Sequence, residues 1–94
     1  MNNRTLIIDG ASVKGMEQIH GRFSAAFDFP DYYGENLDAL HDCLTDITGY
    51  DAVIRITNNS ALDSSIGGKC AAALRRVLSD CAAENPHITV QLID

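Results

Sequence analysis

Three short apolar runs, far apart in the chain, constrain the fold of this sequence more than any other feature. They occupy residues 4–9 (RTLIID), 52–57 (AVIRIT) and 88–93 (ITVQLI). Runs of this length and composition are typical of buried β-strands. Parallel strands need long crossover connections, and the stretches between these runs are long enough to supply them. The pattern therefore predicts an α/β fold with a small three-stranded parallel sheet and helices packed on it.

The stretch after the first predicted strand has helical periodicity. Apolar side chains recur at three- and four-residue steps over residues 13–27, which predicts an amphipathic helix. Ser12 is a plausible N-cap, because a serine side chain can accept a hydrogen bond from the first helical turn. Pro30 restricts the backbone of the residue before it, so the helix should end upstream of this proline.

A longer helix is predicted before the last strand, capped by Ser64 or Ser65 and ended by Asn85 and Pro86. Its apolar stripe consists of Ile66, Cys70, Ala73, Leu74, Val77, Leu78 and Cys81. The chain has 94 residues and contains no repeat, linker or low-complexity segment, so we expect one domain over residues 1–94. No apolar run approaches membrane-spanning length, and the N-terminus lacks the apolar region of a signal peptide.

Residues 31–46 (DYYGENLDALHDCLTD) predict a short helix with one acidic face. Asn36 is a good N-cap residue, and Gly34 permits a positive φ for a sharp turn into the helix. The apolar residues share one face, and Asp38, Asp42 and Thr45 fall opposite, flanked by His41 and Asp46. The apolar face consists of Leu37, Leu40, Cys43, Leu44 and Ile47.

The acidic face is not placed for helix stability. Asp38, Asp42 and Asp46 repeat at i, i+4 spacing, and each such like-charge pair costs roughly 0.2–0.5 kcal/mol. Asp42 and Asp46 also approach the negative end of the helix dipole, where carboxylates are disfavoured. No lysine or arginine occurs between Arg22 and Arg55. The residues leave two interpretations equally open, a solvated surface or a binding surface for a cationic partner.

Composition favours a basic protein partner over other partners. The formal charge is −6 with a pI near 4.7, which argues against nucleic acid and anionic membranes and favours electrostatic attraction of a basic protein. Cys43, Cys70 and Cys81 are an odd set without metal-type spacing, and each falls at an apolar helical position. We therefore expect reduced core cysteines and a cytoplasmic location.

The remaining chemical signals are weak. Acidic residues 38, 42 and 46 fan around the helix with His41 instead of converging, so no metal site is expected. The stretch 64–69 (SSIGGK) would follow a strand and open a helix, as a phosphate-binding loop does, but it lacks the usual lysine–serine ending. It remains an alternative site for a small anion or nucleotide. His20 is interpreted as a satisfied boundary histidine. No nucleophile motif such as G-x-S-x-G occurs, so we expect neither catalysis nor a cofactor.

The run FPDYYGENLDAL at residues 29–40, followed by DCLT at residues 42–45, closely resembles the barstar family of ribonuclease inhibitors. The resemblance extends over nearly the whole chain and implies strand order 1-2-3. It implies that Asp42 mimics a phosphate in the active site of a small basic ribonuclease, with Asp38 one turn earlier. It also implies that Tyr32 packs against the nuclease and that Asp80, on the last helix, adds a separate contact. The expected partner-binding residues are Tyr32, Tyr33, Gly34, Asn36, Leu37, Asp38, His41, Asp42, Thr45, Asp46 and Asp80.

Three positions depart from the family pattern. His41 and Ile47 stand where family members often carry aromatic residues, and Asp46 stands at a glycine position. Because aromatic anchors often dominate interfaces, these departures predict a different or weaker-binding target. A barstar-like module that binds some other basic protein is therefore a further alternative.

Overall fold

The computed structural model describes residues 2–94 and contains one parallel sheet. Strands β1 (Asn3–Asp9), β2 (Asp51–Thr57) and β3 (Ile88–Leu92) pair in the order β1-β2-β3. Leu6 is in register with Ile54, which is in register with Val90. The predicted α/β class and the strand order are both confirmed.

The sheet has one buried face. Alternate strand residues are buried in the core, and these are Leu6, Ile8, Ala52, Ile54, Ile56 and Ile88. The residues between them point away from the core, and the side chain of Ile7 is 46% exposed. This alternation follows from the two-residue side-chain period of a strand. The helices therefore cover a single face of the sheet.

The first helix is shorter than the sequence predicts. Helix α1 spans Met16–Phe27, and its N-cap is Gly15, which provides no side-chain hydrogen bond. The prediction that Ser12 caps this helix is wrong. Asp9 organises the preceding turn instead, because its side chain accepts a hydrogen bond from the backbone N–H of Ala11 at 2.9 Å.

The last predicted helix is divided into two. Helix α3 (Leu62–Ile66) follows a 3₁₀ turn at Asn59–Ala61, and helix α4 (Gly68–Glu84) begins after Gly67. Gly67 has φ 89°, a conformation that interrupts a helix and favours glycine. Ser64 and Ser65 therefore lie inside α3 and cap nothing, and the Ser65 hydroxyl donates a hydrogen bond to the carbonyl of Gly10 at 2.5 Å.

This division corrects two further expectations. Residues 64–69 do not form a strand-to-helix loop, because a 3₁₀ turn and α3 separate β2 from α4, and Lys69 lies within α4. The inner face of α4 matches the prediction at Leu74, Leu78 and Cys81, and it differs from the prediction in the first turn. Ala71 is buried while Cys70 is exposed, so Cys70 is not a core cysteine. Cys81 is buried as expected, and Cys43 is partly buried.

Helix α2 (Leu37–Thr45) packs between the core and solvent in the predicted orientation. Leu40 and Leu44 are fully buried and Ile47 is nearly so. Leu37 and Cys43 are partly buried at the edge of this face. The principal neighbour of α2 is α4. Within residues 2–94, the structure contains no helix with the length and apolar character that crossing a membrane requires.

Candidate partner-binding surface

The first turn of α2 is fixed by Asn36. Its side-chain oxygen accepts a hydrogen bond from the backbone N–H of Ala39 at 2.8 Å, which confirms the predicted N-cap. The positive φ expected at Gly34 is instead at Glu35, with φ 49°. A Cβ atom at Gly34 would lie 3.1 Å from the Asn36 amide nitrogen. Glycine at position 34 therefore leaves room for the capping side chain.

The two tyrosines before α2 have opposite orientations. Tyr33 points inward, where its hydroxyl hydrogen-bonds with His20 Nδ1 at 2.5 Å and its ring meets Phe29 edge-on at 4.8 Å. Burial raises the pKa of the Tyr33 hydroxyl. His20 is buried and hydrogen-bonded, as the sequence predicts. Tyr32 points into solvent and is 88% exposed. Tyr33 thus anchors the loop that presents Tyr32.

The acidic face of α2 is open to solvent. Asp38, Asp42 and Asp46 are all exposed, and the side chain of Asp42 is 81% accessible. Among the ion pairs formed by residues 2–94, none joins these three carboxylates to a lysine or an arginine. The negative charge of this face is therefore uncompensated by any permanent cation.

Among the described residues, His41 is the only basic side chain that pairs with this face. Its Nε2 lies 2.7 Å from a carboxylate oxygen of Glu84 on α4, and its Nδ1 lies 3.6 Å from Asp42 Oδ1. The hydrogen bond to Glu84 raises the pKa of His41, and the Asp42 carboxylate adds to this effect. Asp80 is exposed on α4, one turn before Glu84.

Asn85 fixes the other end of α2 and was not recognised from the sequence. Its side chain is buried, and its amide nitrogen donates to the carbonyls of Leu44 at 3.1 Å and Ile47 at 3.0 Å, with Thr45 at 3.3 Å. The last carbonyls of a helix have no partner within the helix, so this side chain supplies one from a distant segment. The sequence signal at Asn85 indicated only the end of α4.

A cleft of about 370 Å³ separates the end of α2 from the loop that precedes it. Aromatic side chains of Phe27, Phe29 and Tyr50 line it, and Tyr32, Asp42 and Asp46 border it. The Arg4 guanidinium lies 4.4 Å from the Tyr50 ring centre and pairs with Asp28 at 3.5 Å. The departure from the family pattern at Asp46 thus lies on the edge of an aromatic cleft.

The remaining predicted binding residues have structural contacts of their own. The Thr45 hydroxyl donates to the carbonyl of His41 at 2.8 Å, within the helix. Leu37 contributes to the edge of the core. The structure thus brings residues 32–46 together with Asp80 and Glu84 of α4 on adjoining elements. We refer to Tyr32, Asp38, His41, Asp42, Asp46, Asp80 and Glu84 as the acidic surface.

The fold and this surface define a class: a small parallel α/β domain with an exposed acidic helix whose two ends are fixed by asparagine side chains. Within that class the chain belongs to the barstar family, because the family model described as "Barstar (barnase inhibitor)" matches residues 3–93. A similar protein is the "Putative ribonuclease inhibitor YrdF" of Bacillus subtilis (strain 168), with 55% identity over 42 residues. That alignment covers 45% of this chain and 46% of the relative, so the match spans about half of each.

Proposed function

We propose that this protein inhibits a small basic ribonuclease by placing the acidic surface in the nuclease's phosphate-binding cleft. The observation that carries the proposal is the exposed row of Asp38, Asp42 and Asp46, which has no lysine or arginine partner among residues 2–94. The family match and the printed name of the Bacillus subtilis relative support a ribonuclease as the partner.

The spacing of the carboxylates suits this role. Residues four apart on a helix are separated by about 6 Å along its axis, so the three carboxylates form a regular row of negative charge. A ribonuclease binds RNA through cations that contact successive phosphates. A row of carboxylates can pair with the same cations, and it contains no bond that the nuclease could cleave. Asp42, at the centre of the row, is the group that we assign to the principal phosphate site.

The rigidity of the surface also supports the proposal. Asn36 fixes the start of α2, Asn85 fixes its end, and Leu40 and Leu44 are fully buried beneath it. A surface that is ordered before binding loses less conformational entropy when a partner docks. Tyr32 adds a large exposed ring on a loop that Tyr33 anchors, and aromatic residues of this kind often dominate interface energetics.

The experiment is an inhibition assay against a panel of purified small basic microbial ribonucleases with a fluorogenic RNA substrate. We expect inhibition of at least one nuclease, and Asp42→Ala to weaken it by about 30-fold or more, the roughly 2 kcal/mol typical of an interface hot spot. Asp38→Ala and Asp80→Ala should weaken it less. Association should also slow as salt increases, because charge attraction between the proteins is screened.

Glu17→Ala is the matched control, because it removes one exposed carboxylate from α1 and changes the net charge equally. Wild-type inhibition by Asp42→Ala, or equal losses in the Asp42→Ala and Glu17→Ala variants, would contradict the proposal.

A thermal-shift measurement tests the alternatives. Stabilisation by phosphate or nucleotides would favour an anion site near residues 64–69, and stabilisation by basic proteins that are not nucleases would favour a different target.

A further inference from the structure

His41 is positioned so that both of its ring nitrogens face carboxylates from different helices. Nε2 contacts Glu84 of α4 at 2.7 Å, and Nδ1 lies 3.6 Å from Asp42 of its own helix. A neutral imidazole carries one N–H, whereas an imidazolium carries two. The charged form can donate a hydrogen bond to Glu84 and at the same time attract the Asp42 carboxylate electrostatically across 3.6 Å.

The surroundings of His41 strengthen this preference. On α2, Asp38 lies one turn before His41 and Asp42 follows it; on α4, Asp80, Cys81 and Glu84 occupy the facing turns. Burial raises the pKa of the Cys81 thiol to about 11, so this group is neutral and contacts the His41 carbonyl at 3.9 Å. Arg76 is the cationic residue that precedes these groups on α4, and it lies about two turns before Glu84.

We propose that His41 links proton binding to docking at the acidic surface: it pairs with Asp42 in the free protein, and it binds its proton less tightly when a cationic partner takes Asp42, so that part of the population releases the proton. The proposal rests on the function proposed above. The released proton passes to solvent, and the carboxylate of Asp42 exchanges one cation for another. The contact between His41 and Glu84 holds the ring beside Asp42 in the free protein.

The sign of the linkage follows from this exchange. A partner cation near Asp42 repels the imidazolium and screens one of the two carboxylates that stabilise it, while Glu84 remains in contact, so the pKa of His41 is lower in the complex than in the free protein. Between those two values the free protein holds a proton that the complex lacks. Affinity for a cationic partner therefore increases as pH rises through this range and becomes constant above it.

The first experiment needs no partner. Two-dimensional NMR follows the imidazole carbon–hydrogen signals of the whole protein as a function of pH, with His20 and His87 as internal comparisons. We expect His41 to titrate above its ordinary value of 6.5 and Glu84→Gln to lower its midpoint. A His41 midpoint at or below 6.5 that Glu84→Gln leaves unchanged would overturn the proposal.

The second experiment uses an amidated hexa-arginine peptide as the probe, because arginine keeps its charge throughout this pH range. We expect wild type to bind the peptide about threefold or more tightly at pH 8 than at pH 5.5. His41→Gln should remove this difference. His87→Gln should retain it, because His87 pairs with Asp51 outside the acidic surface.

Three results of the peptide experiment would overturn the proposal: tighter binding by wild type at pH 5.5, an equal pH effect in His41→Gln, or no binding of the peptide at pH 8. These outcomes are distinct from failure of ribonuclease inhibition, because neither experiment contains a nuclease. A pH-dependent acidic surface without nuclease inhibition would reject the proposed function and keep the role of His41 toward cations.

Discussion

Replacing Asn85 by alanine tests whether this side chain holds the end of the acidic helix in place. The amide of Asn85 contacts three main-chain carbonyls of the α2 end, and it is buried at 5% exposure. The Leu44 carbonyl retains a second partner, the N–H of Ile47 at 3.2 Å. Asn85→Ala therefore removes the contacts of the Thr45 and Ile47 carbonyls without a replacement from α2.

The size of the effect follows from these contacts. A buried polar group left without a hydrogen bond costs about 1–3 kcal/mol. The backbone N–H of His87 also loses its 2.9 Å bond to the Asn85 side-chain oxygen. We expect a loss of about 2–4 kcal/mol in unfolding free energy, which is a large fraction of the ~5–15 kcal/mol typical of a folded domain. At a urea m-value of about 1–2 kcal/mol/M, the midpoint should fall by roughly 1–4 M.

Equilibrium urea unfolding, followed by circular dichroism, measures this loss. Asn2→Ala is the control, because it truncates the same residue type at an exposed position and should leave the midpoint unchanged. Asn85→Asp should destabilise at least as much as Asn85→Ala, because it turns an oxygen toward the carbonyls that the amide served. An Asn85→Ala variant within about 0.5 kcal/mol of wild type, with an unchanged m-value, would refute this account of how the helix end is held.

Two further predictions concern thiol reactivity and pH. Cys70 is exposed, whereas Cys81 is buried and the pKa of its thiol is raised to about 11. Ellman's reagent should therefore modify Cys70 in the native protein and Cys81 only after unfolding. Rapid modification of Cys81 in a native Cys70→Ser variant would contradict this prediction. Burial lowers the pKa of His20 in the folded protein, so the unfolded state binds a proton more readily at this position. The free energy of unfolding should therefore decline as pH falls below the pKa of His20 in the unfolded state, which is near 6.5. Urea unfolding at pH 5 and pH 7 should show a smaller difference in unfolding free energy for His20→Gln than for wild type. An equal difference in the two proteins would exclude His20 as a source of the pH dependence.

Local signals in the sequence were sufficient for most of the fold. The short apolar runs correctly placed the three strands, and the 3.6-residue apolar period correctly placed the inner face of α2, because burial of one helix face imposes that period on the sequence. The N-cap role of Asn36 was also predictable, because an N-cap hydrogen bond joins residues that are only three positions apart in the sequence. The exposed orientation of Asp38 and Asp42 followed directly from the buried orientation of Leu40 and Leu44.

The error at Ser65 arose because its deciding contact is distant in the sequence, whereas the error at Ser12 is local, since Asp9 organises that turn. Ser65 has the chemistry of a helix cap, but its hydroxyl bonds to Gly10, 55 residues away, and lies inside α3. The predicted stripe of α4 is confirmed at Leu74, Leu78 and Cys81, but its first turn differs, because Ala71 is buried and Cys70 is exposed. The helix break at Gly67 lies within the stripe that the prediction drew continuously through residues 66–81.

The two contacts that define the acidic surface most closely were equally non-local. His41 and Glu84 are 43 positions apart, and Asn85 reaches back 41 positions to Leu44. Neither pair follows from spacing, because both depend on how α4 packs against α2. The family resemblance implied Tyr32, Asp38, Asp42 and Asp80 as binding residues, whereas Glu84 and the support from Asn85 were visible only in three dimensions.

The alternation of roles along α2 has a consequence for how this scaffold changes over generations. The side chains at inward positions 40 and 44 are fully buried in the core, whereas those at outward positions 38, 42 and 46 are exposed to solvent. Mutations at the outward positions can therefore accumulate or revert without an accompanying repair of the interior. A lineage can therefore exchange one target for another through a few surface codons while its architecture stays constant.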